Sequence, residues 1–569
     1  MTDRAAACAY YGARQSRSIG GIDHTIYEIF MTKQNCIGID LGTTYSLMAI
    51  INAAGEPEIL TNADGEKLTA SAVFNDPSGN ILIGTDALKQ RPSYPDRVAA
   101  EFKRDMDKPD WRASLGGGRT FSAIELSALV LRKLKQDGEM QVGPIEAAVI
   151  TVPAYFDDAR RRATIEAGKA AGLEVLQLLN EPTAAALTYA RSGGRPGTHL
   201  IFDLGGGTFD VSVIRVTSED EMQVLACTGN SRLGGMDFDW ALALHVNDAF
   251  RRKEGRDAVP GLFELTAEQR RRREDVLGLL PGSSPKVDRA AAFRLIMDAE
   301  QAKKTLSKLP TTRIEAGSGA ARVAIDVSQQ DFDKVIAEFV ASAQLLVETA
   351  LEDAKLQPSA IDTIILVGGS TRIPAFKRML RGLFGKEPIS PVHQDEAVAR
   401  GAAIQAAIIL SGSGRAKLPA VVATAMDGIT VKDVCSHAFG TLAIAPDGQL
   451  RNDILIPKNT PLPASVAKRY FTAAFGQTAV DCSVTEVSDD SVTDPEWVTT
   501  RHEAILQLPP GRPAGCPIDI QYEYDVNQVM RCAFVDAESG RRRDLTIDIR
   551  QGKTPGPAAY DGLDDLNIL

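Results

Sequence analysis

The feature that most constrains the fold of this chain is a strand-to-glycine turn that occurs twice. Residues 37–44 and residues 200–210 each run from an apolar strand into an aspartate, Asp40 or Asp203, and then into glycine and threonine. Glycine lacks a Cβ and admits positive φ, so successive backbone N–H groups can converge on an anion while threonine hydroxyls add donors. The two aspartates are hard oxygen ligands that would hold magnesium through its waters. Two phosphate turns and one metal indicate a nucleoside triphosphate.

A third apolar strand leads into a third glycine turn at residues 364–372. It contains Gly368, Gly369 and Ser370 and ends at Arg372, whose planar guanidinium can stack on an adenine ring. One such turn alone would be interpreted as a flexible loop. Three strand-to-glycine turns in one chain favour an adenine nucleotide site.

Several segments resemble, in order, the 70-kilodalton heat-shock chaperone family. They are residues 37–46, 148–158, 180–189, 202–213, 300–307, 365–374 and 395–402. The resemblance runs from about Asn35 to Ile409, roughly two thirds of the chain, with several specific motifs. It implies a two-lobed, actin-like α/β ATPase domain with the nucleotide in the cleft between the lobes.

The resemblance also implies a role for each matched position. Hydrolysis of ATP would involve Asp40, Lys103, Glu181, Asp203, Thr208 and Asp210. Nucleotide contacts would come from Gly42, Thr43, Thr44, Tyr45, Gly205, Gly206, Gly207, Gly234, Gly235, Glu300, Lys303, Lys304, Ser307, Gly368, Gly369, Ser370 and Arg372. Lys103 would reach the γ-phosphate and the attacking water, and Asp40 and Asp203 would hold Mg²⁺ through water. The implied cofactors are ATP or ADP, Mg²⁺ and K⁺. Without the surrounding motifs, Lys103 and Glu300 would be interpreted as solvated surface charges.

Composition excludes several classes of protein. The 569 residues, 44% hydrophobic and 24% charged, are ordinary for a globular protein of three or four domains. A net charge of −11 argues against nucleic-acid binding, and the basic block at 270–273, behind a capping box at 266–269, predicts a solvated helix face. The seven cysteines are scattered along the sequence, which favours free thiols. We find neither an apolar stretch long enough to cross a bilayer nor the pattern of a secretory signal peptide, so we expect a cytoplasmic protein.

The pattern along the chain divides it into five parts. We expect a leader at 1–34 that is disordered or precedes the true start at Met31, with a targeting peptide as the weaker alternative. The actin-like ATPase domain would occupy 35–410. Within it we expect a strand at 147–152, a helix at 157–171 and an amphipathic helix from Phe332 to Ala350. Residues from Arg252 to Asp288 are predicted to be an insertion, and the sequence does not reveal its purpose. A linker at 411–433, a β-sandwich at 434–553 and a disordered tail at 554–569 follow.

The β-sandwich is predicted from strands that alternate apolar with polar residues at 480–484, 518–524 and 545–549. It resembles the family's peptide-binding domain, with departures. The linker has Thr430 and Lys432 where the family has apolar residues, and the first hairpin at 439–446 lacks the family's methionine and glycines. Because only a proline- and glycine-rich tail follows the last predicted strand, we expect no helical lid. We therefore expect weak coupling between nucleotide and peptide binding.

Two classes of function stay open. The leading one is an ATP-driven chaperone that adds extended apolar peptide to a sheet groove by backbone hydrogen bonds. The alternative is a divergent actin-like ATPase whose β-domain binds one dedicated protein partner, while the β-domain disfavours a sugar kinase or filament protein. By resemblance, the surface of Tyr155, Asp157, Asp158 and Lys169, with Asp433, would receive a J-domain cochaperone, and Pro153 with Arg161 would relay nucleotide state. A nucleotide-exchange factor is a further implied partner; nucleic acid and membrane are not.

Overall fold

The computed structural model describes residues 35–218, 220–279, 284–317, 322–390, 392–413, 420–526 and 529–546, together with Leu563, Leu566 and Ile568. The predicted leader, including the start at Met31, lies outside this part of the chain, as does most of the predicted tail. No helix among the described residues combines the length and the apolar character that crossing a bilayer requires.

The chain alternates strands and helices as far as residue 426 and continues almost entirely in strands. The strands are β1 (Asn35–Asp40), β2 (Tyr45–Ile51), β3 (Pro57–Leu60), β4 (Thr69–Ala70), β5 (Ala72–Asn75), β6 (Ile81–Ile83), β7 (Val98–Ala100), β8 (Ala113–Ser114), β9 (Thr120–Phe121), β10 (Ile145–Val152), β11 (Glu174–Asn180), β12 (Gly197–Leu204), β13 (Phe209–Ser218), β14 (Glu221–Asn230), β15 (Thr311–Ala316), β16 (Val323–Ser328), β17 (Thr363–Val367), β18 (Thr430–Lys432), β19 (Ala438–Ile444), β20 (Leu450–Ile456), β21 (Ala464–Phe471), β22 (Ala479–Val487), β23 (Thr499–Gln507), β24 (Pro517–Tyr524), β25 (Met530–Asp536) and β26 (Arg542–Thr546). The α-helices are α1 (Thr85–Lys89), α2 (Ala123–Val142), α3 (Asp158–Ala170), α4 (Glu181–Arg191), α5 (Gly235–Glu254), α6 (Ala267–Arg271), α7 (Arg273–Val276), α8 (Arg289–Leu306), α9 (Gln329–Val335), α10 (Ala337–Asp353), α11 (Pro374–Phe384), α12 (Ala397–Ser413) and α13 (Ala420–Met426). Short 3-10 helices occupy Phe102–Asp105, Leu262–Glu264, Pro358–Ala360, Gly369–Arg372 and Pro495–Trp497.

Two sheets share one local topology, which explains the repeated turn in the sequence. The first has the order β11-β10-β1-β2-β3, and the second has the order β17-β12-β13-β14-β18. In each, a strand with an aspartate at its last or second-to-last position turns back into an antiparallel neighbour and has a parallel neighbour on its other side. Asp40 therefore lies opposite Thr151, and Asp203 lies between Asp210 and Val367. Glycine turns follow both aspartates at corresponding edges.

The helices on these sheets agree with the sequence prediction in one case and differ in another. Asp157 caps α3 as predicted, because its carboxylate accepts from the Arg160 backbone N–H at 2.9 Å. The single amphipathic helix predicted from Phe332 to Ala350 is instead two helices, α9 and α10. The backbone leaves helical geometry at Ile336, whose side chain is fully buried, so both helices keep their apolar faces in the core beside the second sheet.

The β-domain consists of two four-stranded antiparallel sheets, β20-β19-β22-β23 and β21-β24-β25-β26. The predicted strands at 480–484 and 518–524 are observed as β22 and β24, whereas of 545–549 only the first two residues lie in the described part, in β26. Inward side chains from both sheets form one core, and the buried Tyr522 hydroxyl donates to the Gly440 carbonyl at 2.7 Å. Alternating burial along β24 follows the period of two that the sequence predicts.

The stretch predicted as a linker contains regular structure where it is described. Helix α12 continues to Ser413, and α13 buries Val422 and Met426 in the core that contains Leu410. The glycine and serine content at 411–413 was a misleading signal, because neighbouring aliphatic residues bury enough apolar surface to extend the helix. Residues 414–419 lie outside the described part.

The last three linker residues before Asp433 form β18, which pairs in parallel with β14. Val431 is half-buried, while Lys432 lies at the surface with its Nζ 3.5 Å from Glu221. The backbone beside Lys432 therefore pairs with β14 while the lysine side chain stays at the surface. Asp433 is held by the Asn180 side-chain amide at 2.9 Å and the Thr183 hydroxyl at 3.2 Å.

Candidate functional site

The first two glycine turns pack directly on each other. A Cβ on Gly206 would lie 1.9 Å from the Thr44 hydroxyl oxygen, and a Cβ on Gly207 would lie 2.5 Å from Thr43 Cγ2. Side chains at these two glycines would therefore push the turns apart. The turns line part of a cavity of about 1160 Å³, which is large enough to hold a small-molecule ligand.

The third glycine turn and the start of α5 complete this wall. The Ser370 hydroxyl donates to the Gly205 carbonyl at 2.8 Å, which joins the third turn to the second. Gly234 lies so close that a Cβ there would meet the Gly207 nitrogen at 2.5 Å. Gly368 has φ of 80°, a left-handed conformation that suits glycine. Each of the three turns lies more than 160 residues from the next in the sequence, yet the three together form one surface.

Most of the predicted site residues line this cavity. They are Asp40, Gly42, Thr43, Thr44, Tyr45, Lys103, Glu181, Asp203, Gly205, Gly206, Thr208, Glu300, Lys303, Lys304, Ser307, Gly368, Gly369, Ser370 and Arg372. Four predicted residues, Gly207, Gly234, Gly235 and Asp210, do not line it. The three glycines pack closely against residues that do line it, and the Asp210 carboxylate accepts from the Tyr155 backbone N–H at 3.0 Å.

At the base of the cavity, several buried carboxylates surround one lysine. The Lys103 ammonium lies 2.8 Å from Glu181, and both side chains are almost completely buried. Burial and the charge of Glu181 raise the pKa of Asp40 to about 7 and that of Asp210 to about 8. The same two causes raise the pKa of Asp203 well above its ordinary value. The cluster carries more negative potential than one lysine offsets, so it favours an added cation.

The residues present fit a hydrated magnesium ion. Asp203 Oδ2 and the Thr44 hydroxyl are buried without a hydrogen-bond partner. Within the described residues, no three His, Cys, Asp or Glu side chains converge closely enough to ligate a metal directly. Magnesium usually keeps several of its waters in proteins and is then held by one or two carboxylates. Water-mediated binding by Asp40 and Asp203 is consistent with these observations.

Helix α8 contributes a further group of polar residues to the cavity. Its residues Glu300, Lys303 and Lys304, with Ser307 as the C-cap, fall on one face because they are three and four positions apart. Lys303 pairs with Asp239 at 2.7 Å, and Lys304 pairs with Glu300 at 2.7 Å. These groups can donate to and accept from sugar hydroxyls and ring nitrogens.

Arg372 also lines the cavity, as the sequence prediction requires. Its guanidinium makes two hydrogen bonds to the Asp395 carboxylate, at 2.8 and 3.1 Å. This pairing fixes the plane of the guanidinium while leaving its faces available. Stacking on adenine stays a prediction.

The structure corrects the interpretation of the basic block at 270–273. Arg271 and Arg272 are exposed, but Arg273 is buried, lines the cavity and pairs with Glu101, two residues before Lys103. Arg91 pairs with the other oxygen of Glu101 at 2.7 Å. The predicted insertion therefore places a cation at the cleft. A solvated face was the wrong interpretation for Arg273, because the pairing partner lies 172 residues away in sequence.

Arg104 is a second residue that the sequence interpretation missed. Its guanidinium donates to the Gly207 carbonyl at 2.7 and 3.0 Å and also contacts Asp237 at the start of α5. It therefore braces the second glycine turn. Its position beside Lys103 was the available signal, although an isolated Lys-Arg pair is usually a surface feature.

The surface expected to receive a J-domain is partly covered by the chain's own β-domain. Arg501 of β23 pairs with Asp157 at 2.8 Å, and the Tyr155 ring lies 4.6 Å from that of His437. Arg161 is buried and donates to the Phe156 and Ala154 carbonyls and to Asn180. Because Asn180 also donates to Asp433, hydrogen bonds connect Arg161 to the linker.

Comparison with known proteins agrees with this architecture. The family model described as "Hsp70 protein" matches residues 36–114, 107–262 and 283–557. The chaperone protein DnaK of Halobacterium salinarum is 36% identical over 526 residues, which cover 91% of this chain and 76% of that protein. The chaperone protein DnaK of Thermotoga petrophila is 36% identical over 525 residues, covering 90% of this chain and 80% of its own length. The chain belongs to the Hsp70 family.

Proposed function

We propose that this chain is an ATP-dependent molecular chaperone that binds ATP and hydrolyses it to control the binding of extended polypeptide. The observation that carries this proposal is the contact between the turns at Thr44 and Gly206 beside a buried carboxylate cluster. The two large sheets, which repeat one topology, would form the lobes of an actin-like fold with the cavity between them. Described cysteines are free and buried, which suits a reducing cytoplasm.

Hydrolysis in this site requires charge neutralisation and an oriented water more than covalent chemistry. Asp40 and Asp203 would hold magnesium through its waters, and the ion would neutralise phosphate charge. Lys103, held by Glu181, offsets charge at the γ-phosphate. Thr208 lies in the second turn beside these groups and, with Glu181, can orient the attacking water. K⁺ would be a further cofactor of the phosphate site.

Communication between the domains would run through the linker strand and the α3 entry. Nucleotide-dependent movement of the second sheet would change the edge of β14 that β18 occupies. It would also disturb the contacts of Asp157 and Arg161, which connect to Arg501 and Asp433. A J-domain cochaperone would then compete with the β-domain for this surface, and an exchange factor would act by opening the cleft.

The β-domain exposes large apolar side chains that suit a polypeptide partner. Phe471, Phe475 and Trp497 are each more than 60% exposed. Their burial by extended peptide would add apolar contacts to backbone pairing along a sheet. The sequence leaves two functions open, and they differ in what the β-domain binds. A general chaperone would bind many unfolded chains, whereas the alternative would bind one dedicated partner.

The test is single-turnover ATP hydrolysis with and without a panel of unrelated apolar peptides. We expect several of them to change the rate, whereas matched peptides with aspartate in place of the apolar residues should not. A rate that no peptide alters would contradict the chaperone proposal. A response restricted to one sequence would favour the dedicated-partner alternative, and phosphate transfer to a small hydroxyl compound would indicate a kinase.

A further inference from the structure

Three apolar residues that follow the β-domain in sequence lie against the ATPase domain. Leu563 is 3% exposed and belongs to the same core as Ile81 of β6 and the helices α2 and α3. Leu566 and Ile568 are partly buried against that core. We call Leu563, Leu566 and Ile568 the clasp residues. Neither the nucleotide site nor the β-sandwich accounts for their position.

Polar contacts fix the clasp residues in a particular register. Arg132 of α2 donates from Nη1 to the Leu563 carbonyl at 2.9 Å and from Nη2 to the Ala170 carbonyl at 3.0 Å. One guanidinium thus joins α2, the end of α3 and the clasp. Ile568 forms a parallel backbone bridge with Ile81. Apolar burial combined with directional backbone contacts is typical of specific peptide recognition.

The surface beneath the clasp is suited to receive an added strand. The small sheet has the order β6-β5-β7, so β6 is an edge strand whose outer backbone groups are available for pairing. Ile81 itself is fully buried, so leaving this edge open would expose apolar surface beside it. The clasp covers both the edge and the apolar core next to it.

We propose that this surface is a docking site for the clasp residues of the same molecule, forming a second connection between the β-domain and the ATPase domain. The first connection is β18. The chain from Thr546 to Leu563 can span at most roughly 60 Å when extended. Its sequence is rich in proline and glycine, a composition found in interdomain linkers. Intramolecular attachment keeps the clasp at a high effective concentration beside its site.

The sheet that contacts the clasp residues connects directly, along the chain, to residues that line the cavity. Strand β6 leads directly into α1, where Thr85 and Leu88 line the cavity, and β7 of the same sheet leads to Glu101 and Lys103. A segment that pairs with β6 therefore braces the sheet that presents Lys103. This inference rests on the clasp contacts and does not require the proposed function.

The probe is a fluorescein-labelled peptide of residues 561–569, and the proteins are full-length wild type, Leu566→Asp and Leu309→Asp. Leu309 is an exposed leucine, so Leu309→Asp adds the same charge without disturbing the clasp. We expect the peptide to bind Leu566→Asp at least 30-fold more tightly than wild type or Leu309→Asp, because only Leu566→Asp has vacated its site. Equal binding to all three proteins, or none to a Leu566→Asp protein that melts like wild type, would overturn the proposal.

Two further measurements cover the remaining outcomes. If Leu566→Asp impairs folding, Leu566→Ala replaces it in hydrogen exchange, where the peptide that contains β6 should exchange at least tenfold faster than in wild type. Unchanged exchange there would also overturn the proposal. Sedimentation should show monomeric wild type. A wild-type dimer that Leu566→Asp dissociates would assign the site to a second copy of the chain and refute the intramolecular clasp.

Discussion

Replacing Lys103 with methionine should separate catalysis from nucleotide binding. The ammonium is buried and lies 2.8 Å from Glu181. Two unit charges about 4 Å apart interact by about 4 kcal/mol at an effective dielectric constant of about 20. If most of that interaction appears only as charge develops on the γ-phosphate, the rate should fall between about 10²-fold and about 10³-fold, at about 1.4 kcal/mol per tenfold. Nucleotide affinity should change much less.

The assay is single-turnover hydrolysis at saturating ATP, with affinity measured separately by titration. Lys303→Met is the matched control, because Lys303 is also a buried lysine that lines the cavity, but it pairs with a different carboxylate, Asp239. It should weaken nucleotide binding with little effect on the hydrolysis of bound ATP. Comparable losses of hydrolysis in both variants would show that any broken ion pair suffices and would refute the assignment of Lys103.

Stability needs its own control, because removing one partner of a buried pair costs about 3–5 kcal/mol. Lys103→Met leaves Glu181 without its cation, so its melting temperature should fall. The double variant Lys103→Met/Glu181→Gln removes both charges and should recover most of that stability while hydrolysis stays lost. Recovery of hydrolysis in the double variant would contradict the proposed role of Lys103 at the γ-phosphate.

Three further predictions follow from the site. Gly206→Ala should abolish ATP binding in a calorimetric titration, because its Cβ would meet Thr44 at 1.9 Å, whereas Gly205→Ala, with its nearest contact at 3.6 Å, should retain binding. Without nucleotide and magnesium, the melting temperature should fall as the pH rises from about 4 to about 8. Asp40 and Asp210 have pKa values of about 7 and about 8 in the folded state against an ordinary 3.8, so the folded state binds more protons than the unfolded state in that window. Asp210→Asn should make the melting temperature depend less on pH, and an equal dependence in both proteins would contradict this explanation. Chelation of magnesium should weaken ATP affinity and stop hydrolysis, and full activity in excess chelator would rule out the proposed metal site.

The amino-acid sequence determined the local features of this protein because short-range chemistry controls them. Glycine turns after apolar strands, the Asp157 cap of α3 and the alternation in β24 all depend on neighbours within a few residues. The family resemblance added the roles of Lys103 and α8, which lie in the predicted cavity. Local pattern and matched motifs thus predicted residues that the structure brings together at one cavity.

Tertiary structure alone decided which distant groups meet, because pairing across many residues leaves no periodic signal in one sequence. Arg273 looked like part of a solvated basic block in the sequence, but the fold brings its partner Glu101 beside it at the cavity. Lys432 looked unsuitable for docking, yet in a parallel edge strand its side chain stays at the surface while the backbone pairs. Leu563 lay in a segment predicted to be a disordered tail, and its burial depends on an apolar surface assembled from β6, α2 and α3. Burial, charge pairing and edge-strand availability are properties of the folded surface, so they emerge only once that surface exists.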